Sequence, residues 1–351
     1  MAESSALPDP CGPLDGDLQR LLDFASAEVG AAVTFVPQAA RNGSQRRSAH
    51  GEESSVPVAG RLHPHGVLRV ALSGPIAVHL ARFLVAIARL IGERLDHAQE
   101  LAAHVRERVE RVDRILAHDG VGVVYQPIFD LRRDNIVGVE ALARFADPAL
   151  EPQEWFVEAD AVGRGLDLEL RTVAHAVAAL RTLPTDVYVS VNVSPTVAMA
   201  AELHRLLRPL DLERLVFEIT EHAQVTDYDE LNEALQPLRS RGLRLAVDDA
   251  GAGFASLRHI LRIHPDIIKL DMSLIRAIDR DSVLRALSYS IASFGAAVEA
   301  QVIAEGIETA GEYRALRFLG IAYGQGFLLR EPVGLSALAR VTGRISQTMP
   351  A

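Results

Sequence analysis

The chain has 351 residues, 49% hydrophobic and 23% charged, with a formal net charge of -10. This is ordinary globular composition, long enough for roughly two domains with a sizeable core. The negative balance argues against a nucleic-acid polymer as partner, so an anionic substrate would need local cations, either metal ions or placed Arg and Lys.

A single cysteine, Cys11, excludes an internal disulfide framework and fits a reducing compartment. Residues 1–17 are rich in Pro, Gly and Ser and are expected to be disordered. They have neither a basic start nor an apolar core, so no secretory signal is read there and a cytoplasmic protein is expected. Residues 18–76 read as a small mixed α+β domain. DLQRLLDFASAEVG predicts a helix ending at Gly30, AAVTFVPQ a strand, ARNGSQRRSAHGEESS a loop, and VPVAGRLHPHGVLRVAL a hairpin around HPHG. His63 and His65 have no third ligand nearby in sequence and read as turn residues rather than a metal site.

Residues 77–117 predict one long helix. Taking Leu84, Ile91, Ala98, Val105 and Val112 as one heptad position, the other is Leu80, Ile87, Arg94, Leu101, Arg108 and Ile115, so nine of eleven seam positions are apolar. Two readings stand: a coiled coil weakened by two seam arginines, or a single amphipathic helix packed on its own domain. The apolar stretch 76–92 is interrupted by His79, Arg82 and Arg89 and is too short and charged for a membrane span.

From residue 121 the pattern becomes strand–helix alternation. Strands are predicted at 121–127, 135–142, 186–194, 214–220, 243–249, 266–271, 297–305 and 321–327. Eight strands with helices between most of them predict an α/β TIM-type (β/α)8 barrel. A doubly wound open sheet is the runner-up, weakened by the lack of a GxGxxG or GxxxxGK[ST] motif.

The ends of these strands are polar and mostly acidic. Glu140 closes the second, Asn192 and Ser194 the third, and Glu218 and Glu221 the fourth. The fifth ends in Asp248–Asp249, the sixth in Lys269 and Asp271, the seventh in Glu305 and Glu308, and the eighth carries Gln325. In a barrel these ends converge on one mouth, where catalytic groups sit. Glu, Asp and Asn without Cys or His favour Mg²⁺ or Mn²⁺ over zinc, and adjacent Asp248 and Asp249 can reach two ions. Two ions would activate a water and offset charge on a phosphoryl oxygen, with Lys269 adding a positive group.

The motifs YQPI (125–128), EALAR (140–144), NVS (192–194), EITE (218–221), VDDAGAGFASL (247–257), IKLD (268–271), AEGIE (304–308) and QGF (325–327) occur together. In this the chain resembles the EAL-domain family of cyclic di-GMP phosphodiesterases over about residues 118–340. The resemblance implies a first metal held by Glu140, Asn192, Glu218 and Asp248, and a second by Asp248 and Asp249. Lys269 would orient or help activate the attacking water, and Glu305 and Gln325 would complete the metal and water shell. Glu221 would anchor the loop after Asp249. Gln126, Leu142, Arg144 and Gln325 would meet the dinucleotide, Arg144 on a phosphate. The implied reaction is hydrolysis of one phosphodiester of cyclic di-GMP to linear pGpG, by a homodimer joined through the linker helix and barrel. One departure is Ala250, where many family members have Phe after the Asp pair; it removes an aromatic contact but leaves the acids intact. A cyclic di-GMP receptor that no longer cuts is the alternative, and an unrelated Mg²⁺ phosphoesterase a further one. Product analysis with and without metal separates enzyme from receptor. The domain plan is 1–17 disordered, 18–76 a segment faintly similar to a shortened GAF-type sensor, 77–117 the linker helix, and 118–345 the phosphodiesterase domain.

Overall fold

The computed structural model describes residues 12–38, 53–59, 64–71, 77–117, 120–219, 227–250 and 260–342. The chain divides into two compact units, Met1–Glu110 and Arg111–Ala351. Helix α2 (Val78–Ala117) contributes to both.

In the first unit, helix α1 (Gly12–Val29) starts five residues ahead of the expected position at Asp17, inside the segment read as disordered. A Pro at position 13 suits a helical first turn, where its missing N–H costs nothing. Strands β1 (Val33–Pro37), β2 (Glu53–Ala59) and β3 (Pro64–Ala71) form an antiparallel sheet in the order β1-β3-β2. The expected hairpin is present, but His65 and Gly66 lie within β3 rather than in the turn. His65 is buried and its Nε2 lies 2.7 Å from Asp96 Oδ1, so it is a satisfied core histidine and not a turn residue; His63 lies outside the described residues. Leu22, Ala25 and Val29 of α1, Leu68 and Val70 of β3, and Leu84, Ile87, Ala88 and Ile91 of α2 make one core. The spacing 84, 87, 88, 91 is one helical face. Three positions of the supposed heptad seam are therefore used inside the unit. In the middle turns Leu101 and Val105 stay exposed, 61% and 39% respectively.

The second unit is a closed eight-stranded barrel in the order β4-β5-β6-β7-β8-β9-β10-β11. The strands are β4 (Val121–Asp130), β5 (Asn135–Phe145), β6 (Tyr188–Asn192), β7 (Leu215–Ile219), β8 (Arg244–Ala250), β9 (Ile267–Leu270), β10 (Gln301–Ala304) and β11 (Tyr323–Gly324). All eight predicted strands are present. The pattern departs from an all-parallel barrel in one respect: β4 runs antiparallel to both β5 and β11. Four residues, 131–134, separate β4 from β5, too few for a crossover helix but enough for a hairpin. The helices that cover the barrel and are used below are α3 (Pro152–Ala161), α4 (Gly165–Val177), α5 (Ala201–Leu207), α6 (Tyr228–Arg239), α7 (Ser282–Ala297) and α8 (Ala310–Phe318).

Several helix ends near the N-terminal side of the strands are held by arginine. Arg214 donates to the carbonyls of Leu180, Leu183, Pro184 and Val187, and Arg241 to those of Leu207, Arg208 and Leu210. Helix C-termini leave carbonyls without intrahelical partners, and a guanidinium satisfies several at once. The last turns of α2 belong to this unit: Val112 and Ile115 pack with Trp155, Ala159 and Leu168 of α3 and α4. Phe145, at the end of β5, stacks on Trp155.

Inside the barrel, side chains form layers. The lower layer is apolar, with Ile128, Tyr188, Val216, Ala246, Ile267 and Ile303. Gly138 makes room for the Tyr188 ring, which a Cβ there would meet at 2.3 Å. The apolar plug leaves the next layer, toward the C-terminal ends of the parallel strands, as the floor of a polar mouth.

Candidate active site

That next layer takes one polar residue from, or just beyond, each strand: Gln126, Glu140, Ser190, Glu218, Asp248, Lys269, Glu305 and Gln325. Alternation places them there: each lies two residues beyond an inward residue of the layer below on β6, β7, β8, β9 and β10. Gln126 faces Glu140 directly across the antiparallel β4–β5 pair.

Lys269 is 1% exposed and is the centre of this ring. Its Nζ lies 2.7 Å from Glu305, 2.9 Å from Glu218, 3.2 Å from Asp248 and 3.4 Å from Glu140. Burial by itself would favour the neutral amine, but the four carboxylates outweigh it and hold the ammonium well above the usual lysine range. Lys269 is thus surrounded by carboxylates that favour its charged form. It is also the one lysine in a chain with 35 arginines. A compact ammonium fits among four acids where a planar guanidinium would not.

Burial and the neighbouring Glu140 raise the Glu218 carboxyl to about 8, against the pull of Lys269. Burial likewise pushes Glu305 well up. Asp249 has φ 55°. This left-handed residue breaks the alternation of β8, whose register with β9 shifts between Val247 and Ala250, and so Asp249 shares the mouth with Asp248. One carboxylate oxygen from each of Glu140, Glu218 and Asp248 lies within 4.8 Å of the others. The same holds for Asp248, Asp249 and Glu305. Two oxygen triads sharing Asp248 suit a pair of small hard cations. Gln325 donates its amide N–H groups to Glu140 and Glu305, while its buried Oε1 has no protein partner, as an oxygen offered to an ion or water would. The donor set thus fits Mg²⁺ or Mn²⁺. Gly326 lets this segment pass the turn after β10, where a Cβ would sit 2.2 Å from Ile307 N and O.

Beside the acids is a cavity of about 360 Å³ whose wall includes Leu142, Arg144, Phe156, Glu169, Asn192 and Asp249. It brings the expected metal ligand Asn192 and the expected contacts Leu142 and Arg144 to one place. Gln126 is buried at the ring's edge, its amide donating to Arg330 O at 3.4 Å. Two of the strand-end acids are used elsewhere. Asp271 accepts from Ser273 N as a helix cap, and Glu308 pairs with Arg276. Ala250 is buried at the end of β8 and its carbonyl accepts from Asp271 N. Glu221 and the loop 251–259 lie outside the described residues. A second groove of about 520 Å³ beside α6 is remote from the acids; the Arg239 in its wall donates to the carbonyls of Ile263 and His264.

Three site residues escaped the sequence reading. Ser190 is detectable by counting back two from Asn192. Glu169 and Thr172 sit on α4, where helical periodicity shows only a face and not the cavity it borders. Glu169 accepts the Ser194 N–H at 2.9 Å, and burial pushes its carboxyl up.

A mixed eight-stranded barrel whose mouth combines two acid triads, a buried ammonium and an adjoining cavity defines the class of protein. The chain belongs to the EAL domain family, which it matches over residues 75–332. It is 29% identical over 251 residues to the Cyclic di-GMP phosphodiesterase PA2567 of Pseudomonas aeruginosa, covering 68% of this chain and 42% of that protein. It is 28% identical over 251 residues to the Cyclic di-GMP phosphodiesterase PdeF of Escherichia coli, covering 67% and 33%. The chain thus spans less than half the length of these two relatives. Among solved structures, it resembles the PaMucR phosphodiesterase in complex with c-di-GMP, with a TM-score of 0.60 at 25% identity over 66% of this chain and 99% of that one. The EAL enzyme Bd1971 in its cAMP- and cyclic-di-GMP-bound form has the same fold, with a TM-score of 0.64 at 23% identity over 80% and 82%. No helix among the described residues is long and apolar enough to cross a membrane.

Proposed function

We propose that this chain is a metal-dependent phosphodiesterase that hydrolyses cyclic di-GMP to linear pGpG. The observation that carries the proposal is the pair of acid triads sharing Asp248 beside a cavity walled by Arg144. The names of the relatives above support the substrate. Glu140, Asn192, Glu218 and Asp248 would hold one ion, and Asp248 and Asp249 a second; Glu305 and Gln325 would complete the shell. Bound Mg²⁺ or Mn²⁺ would supply a nucleophilic water and offset charge on the phosphoryl oxygens. Arg144, exposed at the end of β5, would hold a phosphate, with Gln126, Leu142 and Gln325 along the nucleotide. Lys269 would stabilise the acid ring and orient or help activate the water. Glu221 would brace the loop that follows Asp249.

The test is direct. The purified chain, given cyclic di-GMP with Mg²⁺ or Mn²⁺, should release pGpG, resolved by chromatography, and none with chelator. Nucleotide binding without product under any metal would instead support the receptor reading.

We also propose a homodimer, with the exposed Leu101 and Val105 of α2 and the outer face of α7, where Val283 and Leu287 are exposed, as contributing surfaces. Light scattering showing a monomer at micromolar concentration would reject it. The small first unit, two helices on a three-stranded sheet, would be the sensory, GAF-like part.

A further inference from the structure

We propose that Ser190 is a positioning residue of this site, whose hydroxyl fixes the Glu218 carboxylate in the orientation that serves a divalent cation. The inference rests on the metal-dependent reading above.

The argument starts from the strand. β6 reads Tyr188-Val189-Ser190-Val191-Asn192, with the two valines buried in the shell between barrel and helices. The alternate residues point inward. Tyr188 fills the apolar layer, and Asn192 reaches the cavity wall. Ser190 lies between them, 1% exposed. A hydroxyl in that position needs a partner, since burying it unpaired is costly and an alanine would cost nothing there.

Its partner is a ligand of the proposed metal. The Ser190 hydroxyl donates to Glu218 Oε1 from the neighbouring strand, while Lys269 Nζ donates to Oε2 at 2.9 Å. Each oxygen of Glu218 therefore has its own donor, one from β6 and one from β9. The carboxylate plane cannot turn without breaking one of these bonds. This matters because Glu140 and Asp248 present oxygens within 4.8 Å of Glu218. Repulsion among three acids would otherwise turn the carboxylate away from their common point. Ser190 is not placed to touch a substrate: on its strand, Asn192 is the polar residue that borders the cavity, one layer nearer the mouth. Partners that orient metal ligands in this way typically matter about 10–100-fold in metal affinity.

The experiment measures Mn²⁺ binding to the full chain without nucleotide, by electron paramagnetic resonance of free Mn²⁺ and by calorimetry. Ser190→Ala should weaken Mn²⁺ binding about 10–100-fold, with an unchanged circular dichroism spectrum. Ser190→Thr, which keeps a hydroxyl, should restore affinity to within about threefold. At saturating Mn²⁺ the KM for cyclic di-GMP should match the wild type in both variants. Should Ser190→Ala fail to fold, Ser190→Cys, close in size but a weak donor, carries the same comparison and should show the same loss. Unchanged Mn²⁺ affinity in Ser190→Ala or Ser190→Cys overturns the proposal. So does a Ser190→Thr variant as weak as Ser190→Ala, or a raised KM at saturating metal, which would make Ser190 a substrate contact. A wild-type chain that holds no Mn²⁺ overturns the metal reading itself, and this inference with it.

Discussion

Replacing Lys269 by Met tests whether the acid ring is assembled around an internal cation. The side chains are similar in length, so the change removes charge while largely keeping volume. Four carboxylates, at 2.7, 2.9, 3.2 and 3.4 Å from Nζ, lose their shared counter-charge in a site where Lys269 and Glu218 are each 1% exposed. Breaking a single buried ion pair costs about 3–5 kcal/mol, because it leaves an uncompensated charge. With four partners served by one ammonium, the upper end applies, about 5 kcal/mol, or roughly 10–20 °C in Tm for a unit of this size. Proton uptake by the ring's acids, two of which, Glu218 and Glu305, burial already raises, limits the loss. The assay is thermal and urea denaturation with chelator and again with excess Mg²⁺. The variant should melt well below the wild type in chelator, and Mg²⁺ should raise its Tm more than that of the wild type. Turnover should fall far more than nucleotide affinity, as expected for a group that acts mainly in the transition state. A variant within about 1 kcal/mol of wild type without metal would refute the reasoning. Normal kcat with a sharply raised KM would show that Lys269 grips phosphate instead.

Glu140→Ala should abolish hydrolysis while leaving the circular dichroism spectrum intact; by analogy with deleting one transition-state donor the loss is on the order of 2.7–4 kcal/mol or more, and near-normal turnover would sink its assignment as a ligand. Ca²⁺ should permit nucleotide binding but not turnover, because it prefers longer and more numerous bonds than Mg²⁺; turnover equal to that with Mg²⁺ would contradict a compact octahedral site. Glu312 caps α8 in a reciprocal box with Thr309 and accepts the N–H groups of Ala277, Glu308 and Thr309. Burial opposes its charge, but those donors prevail and hold it below its ordinary value of 4.5. Its folded value is depressed, so the stabilisation is present above about pH 4.5 and is lost as pH falls through the lower folded value. Glu312→Gln should therefore cost about 1 kcal/mol at pH 7, and the gap in urea denaturation should close as pH falls through the depressed folded value; a pH-independent gap would assign the effect to packing.

The barrel and most of its mouth were legible because two local rules converge there. Alternation with period two fixed which residues of β5 to β9 face inward, and the polar ends of those strands were the ones the core could not absorb. What stayed hidden depends on distances that a linear pattern does not encode. The antiparallel sense of β4 follows from a four-residue link, 131–134, which the sequence reading, ending the strand at 127, leaves as a seven-residue gap. Sequence order placed Asp271 and Glu308 beside the ligands, yet each is consumed locally, one capping a helix and the other pairing with Arg276. Heptad spacing along α2 was real but ambiguous. The same 3.5-residue recurrence that suits a coiled coil also suits a helix whose two ends pack in different cores, as Ile91 and Val112 do. Ser190 and Glu169 were missed for complementary reasons. Ser190 is a small polar residue in a strand that could carry alanine there, and its meaning appears only when its hydroxyl is seen to donate to Glu218, which pairs in register with Asn192 rather than with Ser190. Glu169 is on a helix, where the cavity side is set by how α4 lies against β4 and β6. Lys269 shows the opposite case. As the only lysine among 36 basic residues, it could have been singled out by composition alone. Four carboxylates within 3.4 Å of Nζ are neighbours that a compact point charge suits better than a planar guanidinium.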